Sequence, residues 1–223
     1  MDNTLPLSLT ELRKELDLLM EYGAPADERT TLAEVADRYA ADIVALQVLR
    51  TFYSYLPEAQ DDGIVELRRV ANRQGVFLLA AKTLLDEYLY LADREKAEFL
   101  GPLREGIWDQ EILEFFGWRD REEFLKLAAN PSWPIHLPVN EAADLCPICG
   151  TTDGEPHISG CPVEVCPWCG GQLIHCQCRF TETGRQAFTT EAHLDEFLEL
   201  LAKKGRISFN AQEQRPSFKA DLD

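Results

Sequence analysis

The sequence predicts a mainly α protein: an N-terminal helical bundle, a small zinc-binding β-rich module and a C-terminal helix. Three observations carry this expectation. Helix-start signals and apolar residues spaced three or four apart recur through the first 130 residues. All seven cysteines lie within residues 146–178, and three prolines punctuate the stretch NPSWPIHLPVN at 130–140. Proline continues neither a helix nor a central strand, so a boundary belongs there. The expected organisation is a helical domain over 1–130, a Pro-rich linker over 131–143, a zinc-binding module over 144–180, a helix over 189–204 and a polar tail over 210–223.

Taken in order, SLTE (Ser8 to Glu11) and TLAE (Thr31 to Glu34) both have capping-box spacing. After Thr31, the residues Leu32, Val35, Ala36, Tyr39, Ile43, Leu46 and Leu49 form one apolar stripe. They predict a helix reaching about Leu56, where Pro57 and DDG break it. A third, long helix is expected from Gly63 to Ala92, with Gly75 as a kink or close-packing point. Its centre, Val76 to Leu91, is apolar over most of its circumference and suits the middle of a bundle. Shorter helices follow at about 93–100, 109–116 and 119–128, with Gly117 as a stop and Asp120 as a cap. Thr190 caps a helix over about 191–203 that carries Leu194, Phe197, Leu198 and Leu201 on one face and ends at Gly205. RISF, 206–209, is a candidate short strand.

Composition narrows the class. Hydrophobic residues make up 45% and charged residues 27%, enough for a folded core. The net charge is −17, with 15 basic and 26 acidic residues up to residue 140 and 7 and 13 after it. Such a chain repels phosphate backbones and anionic membrane surfaces, so a protein with a basic surface is the expected partner and nucleic acid is disfavoured. No apolar run approaches the roughly 20 residues of a spanning helix; VFLLAA at 76–81 is stopped by Lys82. The start, MDNTLPLSLTELRK, lacks the basic, apolar and small-residue regions of a secretory signal. The expected compartment is the cytosol, where C-x2-C pairs read as metal ligands rather than disulfides.

The cysteine block carries the chemistry. CPICG and CPWCG each present two sulfurs from one tight turn, and sixteen residues, Gly150 to Val165, separate them. Cys161, Cys176 and Cys178 remain, and His157 completes a second tetrad. The candidate ligands therefore form four pairs: Cys146 and Cys149, His157 and Cys161, Cys166 and Cys169, Cys176 and Cys178. They predict two structural zinc ions. The matched knuckles favour a crossed arrangement, pairs one and three sharing one ion and pairs two and four the other, over sequential pairing. His175 is a rival ligand beside Cys176; its simpler reading is a histidine on a strand or a donor to a neighbouring sulfur. His136 and His193 read as surface or partly buried.

The two knuckles resemble the halves of a zinc ribbon, and the crossed ligand order resembles that of RING-type cross-braced domains, from which the C-x-C ending and short loops depart. HISGCPVEVCPWCGGQLIHCQC, about a tenth of the chain, is also similar to an H-x3-C-x4-C-P-x-C-G-G-Q-L-I-x-C-x-C pattern of uncharacterised bacterial proteins. That resemblance implies metal binding and a bacterial or phage origin. It implies no catalytic residue.

Eight ligands for two ions leave no open coordination position of the kind a catalytic zinc keeps. No G-x-S-x-G, Walker loop, dinucleotide glycine motif or H-E-x-x-H occurs, and the zinc-deaminase signature is missing. Glu155 and Glu164 lie near the ligands in sequence but read as surface carboxylates. The acidic runs DQEILE and DREE read as solvated faces. Trp108, Phe115, Phe116 and Trp118 read as core, with any exposed part a docking site. The sequence therefore predicts a non-catalytic, acidic protein-interaction module: a regulator, adaptor or antitoxin-like inhibitor. Three alternatives stand beside it: a DNA mimic that inhibits a nucleic-acid-binding protein, nucleic-acid binding through the zinc ribbon with AKKGR (202–206) as its basic face, and a zinc-dependent hydrolase.

Overall fold

The structure, a computed structural model, describes residues 7–55, 62–129 and 131–214. The chain divides into two compact units, Met1–Ala143 and Asp144–Asp223.

The first unit opens with α1 (Leu9–Gly23), whose capping box is complete: Ser8 Oγ accepts from Glu11 N, and Glu11 Oε2 accepts from Ser8 N at 2.9 Å. Its Leu12, Leu16 and Met20 are buried. α2 (Arg29–Arg38) begins ahead of Thr31 and has no side-chain cap, so TLAE lies inside a helix rather than starting one. The single helix expected after Thr31 is two helices. Asp42 interrupts it by accepting from Ala45 N at 3.0 Å and so capping α3 (Ile43–Ser54). Leu56 and Pro57, where the break was expected, lie outside the described residues.

The larger correction concerns residues 63–102. The long helix expected from Gly63 to Ala92 is three strands, β1 (Ile64–Arg73), β2 (Val76–Thr83) and β3 (Glu87–Ala92), and the helix expected at 93–100 is the turn into β4 (Ala97–Pro102). They pair antiparallel in the order β1-β2-β3-β4. The protein is therefore mixed α and β, not mainly α. Local turn chemistry accounts for the difference. Gln74 and Gly75 both have positive φ, 53° and 81°, as the two-residue hairpin between paired Arg73 and Val76 requires. The Thr83 hydroxyl accepts from Leu85 N and Asp86 N at the second turn. Asp93 Oδ1 accepts from Glu95 N and Lys96 N at the third.

The all-round apolar character of this segment reflects a sheet covered on both faces. Leu79 and Ala81 pair with Tyr90 and Tyr88 on the side where Tyr88 meets Phe52 of α3. On the opposite side Leu78, Ala80 and Leu89 share a core with Leu113 of α4 (Gln110–Phe116) and Phe124 of α5 (Arg121–Ala128). A strand buried on both faces loses its alternation and so looks like a buried helix in sequence. α4 and α5 themselves stand where periodicity places them, ended by Gly117 and capped by Asp120. Phe116 and Trp118 pack towards Phe124, which stacks on Trp133. Trp108 is 68% exposed, with the Arg121 guanidinium 3.7 Å above its ring.

The proline-rich segment lies along the outer edge of β1. Arg69 N donates to Pro134 O at 3.0 Å and His136 N to Leu67 O at 2.8 Å, which covers an edge that would otherwise offer unpaired backbone groups. His136, expected near the surface, is fully buried. Its Nδ1 accepts from Arg69 Nε and its Nε2 donates to Asp42 Oδ2 at 2.8 Å, while Tyr39 Oη donates to its carbonyl. Asp42 Oδ2 also accepts from Val139 N at 2.9 Å. One buried carboxylate thus caps α3 and ties residues 136–139 to the helical layer.

A short helix, α6 (Glu141–Asp144), falls at the boundary between the units in sequence. The second unit contains α7 (Cys178–Thr183) and α8 (Glu191–Lys204), the latter capped by Thr190 as its sequence predicts. Its described residues hold no strand, only isolated bridges between Leu145 and Thr152, Pro156 and Ser208, and Val165 and Gln172. The expectation of a β-rich module is therefore overturned, because its backbone bonds are made in tight turns and single bridges that no ladder extends. No described helix of the protein is long and apolar enough to cross a membrane.

Asp42→Ala is expected to destabilise the first unit by about 3 kcal/mol, since it strands His136 Nε2, Val139 N and the first turn of α3 without an acceptor. Urea unfolding followed by tryptophan fluorescence checks this; a loss below about 1 kcal/mol would show that the buried carboxylate is not a clasp.

Candidate metal centres

The two C-x2-C segments fold into the same turn. Gly150 N donates to Cys146 O and Gly170 N to Cys166 O, both at 2.9 Å. Cys146 N donates to Thr151 O and Cys166 N to Gly171 O. Gly150 and Gly170 have φ of 72° and 74°, a left-handed geometry that lets the chain reverse beneath its own sulfurs. Each knuckle thereby presents two Sγ atoms to one side before any longer-range packing is made.

The eight candidate ligands converge into two clusters, and each could hold a metal ion. Cys146, Cys149, His157 and Cys161 form one; Cys166, Cys169, Cys176 and Cys178 form the other; within each, the donor atoms lie within 4.8 Å of one another. The grouping is sequential. The crossed arrangement expected from the matched knuckles is overturned, since each knuckle closes on the pair that follows it in the chain. His175 and His193 belong to neither cluster; His193 Nδ1 instead accepts from Thr189 N.

Distances in the first cluster fit a shared tetrahedral ion. Sulfurs about 2.3 Å from a central zinc stand about 3.8 Å apart along a tetrahedron edge, and a sulfur and an imidazole nitrogen about 3.6 Å apart. Cys146 Sγ and Cys161 Sγ are 3.8 Å apart, and Cys149 Sγ and His157 Nδ1 are 3.4 Å apart. A disulfide would need about 2.05 Å. A hydrogen bond orients the His157 ring for ligation, because Nε2 donates to Gln214 Oε1 at 3.1 Å and leaves Nδ1 free to face the sulfurs. The ring also packs edge-on against Phe209.

Ionisation is uneven within each cluster. In the first, the hydrogen bond from the Cys146 thiol and then the contact with His157 hold Cys149 down to about 3, while Cys146, the donor in that pair, is pushed up. In the second, the backbone N–H of Gly171 and then the Cys178 thiol lower Cys169, and Cys178 is raised to about 12 beside it. The second cysteine of each knuckle is thus the sulfur readiest to receive a cation.

The clusters differ in exposure. Cys146, His157 and Cys161 are buried, and Phe209 packs with Cys146 and Cys161. In the second cluster only Cys166 is buried, while Cys169 is exposed. Here the apolar cover comes from Leu173 and from Phe197 and Leu201 of α8.

Sequence reasoning missed the supports of these centres. Glu164, expected at the surface, is buried; Arg206 donates to its Oε1 at 2.8 Å and to His157 O. Glu155 accepts from Thr152 rather than facing a ligand atom. Residues 208–214 close over the first cluster, with Gly154 N donating to Phe209 O and Phe209 N to Glu155 O, both consistent with the bridge at Ser208. The suggestion of a strand in RISF was the only local signal; Gln214 gave none. Residues 215–223 of the expected tail lie outside the described residues. The chain matches no protein-family model, no curated protein and no solved structure.

Two outcomes follow for the metal-loaded chain. A colorimetric chelator should strip the exposed cluster first, giving two kinetic phases, and Cys169→Ser should remove the fast phase alone. Gln214→Ala should lower metal affinity at the buried cluster by about tenfold or more, as loss of a histidine's outer partner does, measured by competition with a zinc-binding dye.

Proposed function

We propose that this is a non-catalytic, zinc-stabilised protein-interaction module whose acidic surface binds a basic protein partner. The observation that carries the reading is the completeness of both clusters: four nitrogen or sulfur donors each, with no position left for water or substrate. Soft thiolates with one imidazole suit zinc, and Cys146, Cys149, His157 and Cys161 would hold one ion, Cys166, Cys169, Cys176 and Cys178 the other. Zinc supplies folding free energy here, on the order of 10 kcal/mol per structural site. Seven thiolates against two divalent ions add three negative charges to a chain already at −17.

The basic segment that favoured nucleic acid has part of its charge paired. Arg206 is engaged by Glu164, and Lys203 lies 3.9 Å from Glu199. The hydrolase alternative finds no support in Glu164, which is buried and paired with Arg206 rather than open to solvent. A regulator, adaptor or inhibitor role fits the remaining features: an acidic surface and exposed Tyr22, Leu85 and Trp108 on the first unit.

Elemental analysis of the purified chain should find two zinc ions, and affinity capture from nuclease-treated lysate of the native host should recover one basic protein in a salt-sensitive manner. One zinc, or a zinc bearing a water ligand by X-ray absorption, would sink the structural-metal reading. Binding that persists unchanged at high salt would sink the electrostatic one.

A further inference from the structure

A pocket of about 120 Å³ lies beside α8, walled by Leu173, Phe188, Leu194, Phe197, Leu198 and Leu201. Two charged side chains line it as well, Glu164 and Arg179. Glu164 is 1% exposed, and Arg206 engages only its Oε1. Its Oε2 is buried without a partner, and so is Nε of Arg179. The residues that wall this chamber thus include one unmet acceptor and one unmet donor, whose desolvation cost a complementary group would recover.

Size and charge narrow the ligand. A cavity of roughly 150 Å³ lined by aliphatic and aromatic side chains holds benzene, so about six heavy atoms fit here. Glu164 is already neutralised by Arg206, which removes the need for a cationic head. The head must offer an N–H to Glu164 Oε2 and a carbonyl to Arg179 Nε.

We infer that this pocket binds a compact, uncharged molecule with an apolar body and a primary carboxamide head. None of its lining residues is a candidate metal ligand, although Leu173, Phe197 and Leu201 also cover the second cluster, and the site goes beyond the interaction role by giving the second unit a small-molecule input.

The test is titration of the folded, zinc-supplemented full-length chain with isobutyramide, followed by two-dimensional NMR. Saturable shifts at the backbone amides of Leu173, Phe188 and Leu198 are expected. 3-Methyl-2-butanone, which has the same shape but no N–H donor, should bind about tenfold more weakly or worse. Glu164→Gln should abolish the preference for the amide; if that variant does not fold, Leu194→Trp, which fills the pocket from its exposed rim, should abolish binding. N-acetylglutamine methylamide separates sources: competition assigns the pocket to a partner's glutamine side chain, and failure to compete assigns it to a free ligand. No saturable shift with isobutyramide, or equal affinity for the ketone, overturns the inference.

Discussion

Convergence of four soft donors, achieved twice within residues 146–178, is the constraint on which the second unit depends. Its described residues form no sheet, and its two apolar clusters are small and include the cysteines themselves. A unit of this kind lacks the buried area to offset its own chain entropy, and metal ions held by the two clusters would supply the difference. The knuckle turns place two sulfurs each through purely local bonds, and the later pair in each cluster needs only a short loop to reach them. Sequential grouping keeps those loops short, and short loops cost less entropy to close.

The two centres share a design but differ in cover. Phe209, Gln214 and Arg206, all from the segment after α8, enclose the first, whereas α8 itself shields one side of the second and leaves Cys169 at the surface. Glu164 sits in the chain between the last ligand of one cluster and the first of the other. Through Arg206 it ties the segment after α8 to the carbonyl of His157, and its second oxygen is buried without a partner.

The first unit rests on a different balance. Its sheet is covered on both faces, so β2 contributes apolar side chains in both directions and gains burial that no one-sided strand could. The proline-rich segment, which cannot itself be a central strand, protects the edge of β1 and is held by Asp42 and His136. The carboxylates of Asp109 and Asp120 add to the negative charge of this frame and also serve as helix caps, so charge doubles as local structure.

By itself the sequence determined whatever depends on neighbours along the chain: the capping box at Ser8, the caps of α5 at Asp120 and of α8 at Thr190, and eight candidate donors in four closely spaced pairs. Bonds of that range are decided within a few residues, so spacing reveals them. Tertiary structure decided the rest. Residues 64–102 became strands because both faces of the sheet found cover, a fact that apolar composition alone does not distinguish from a buried helix. Which pairs share a cluster, the burial of His136 and Glu164, and the service of Arg206 and Gln214 at the first centre all join residues far apart in sequence. Their positions follow from how the chain packs, and no local pattern records it.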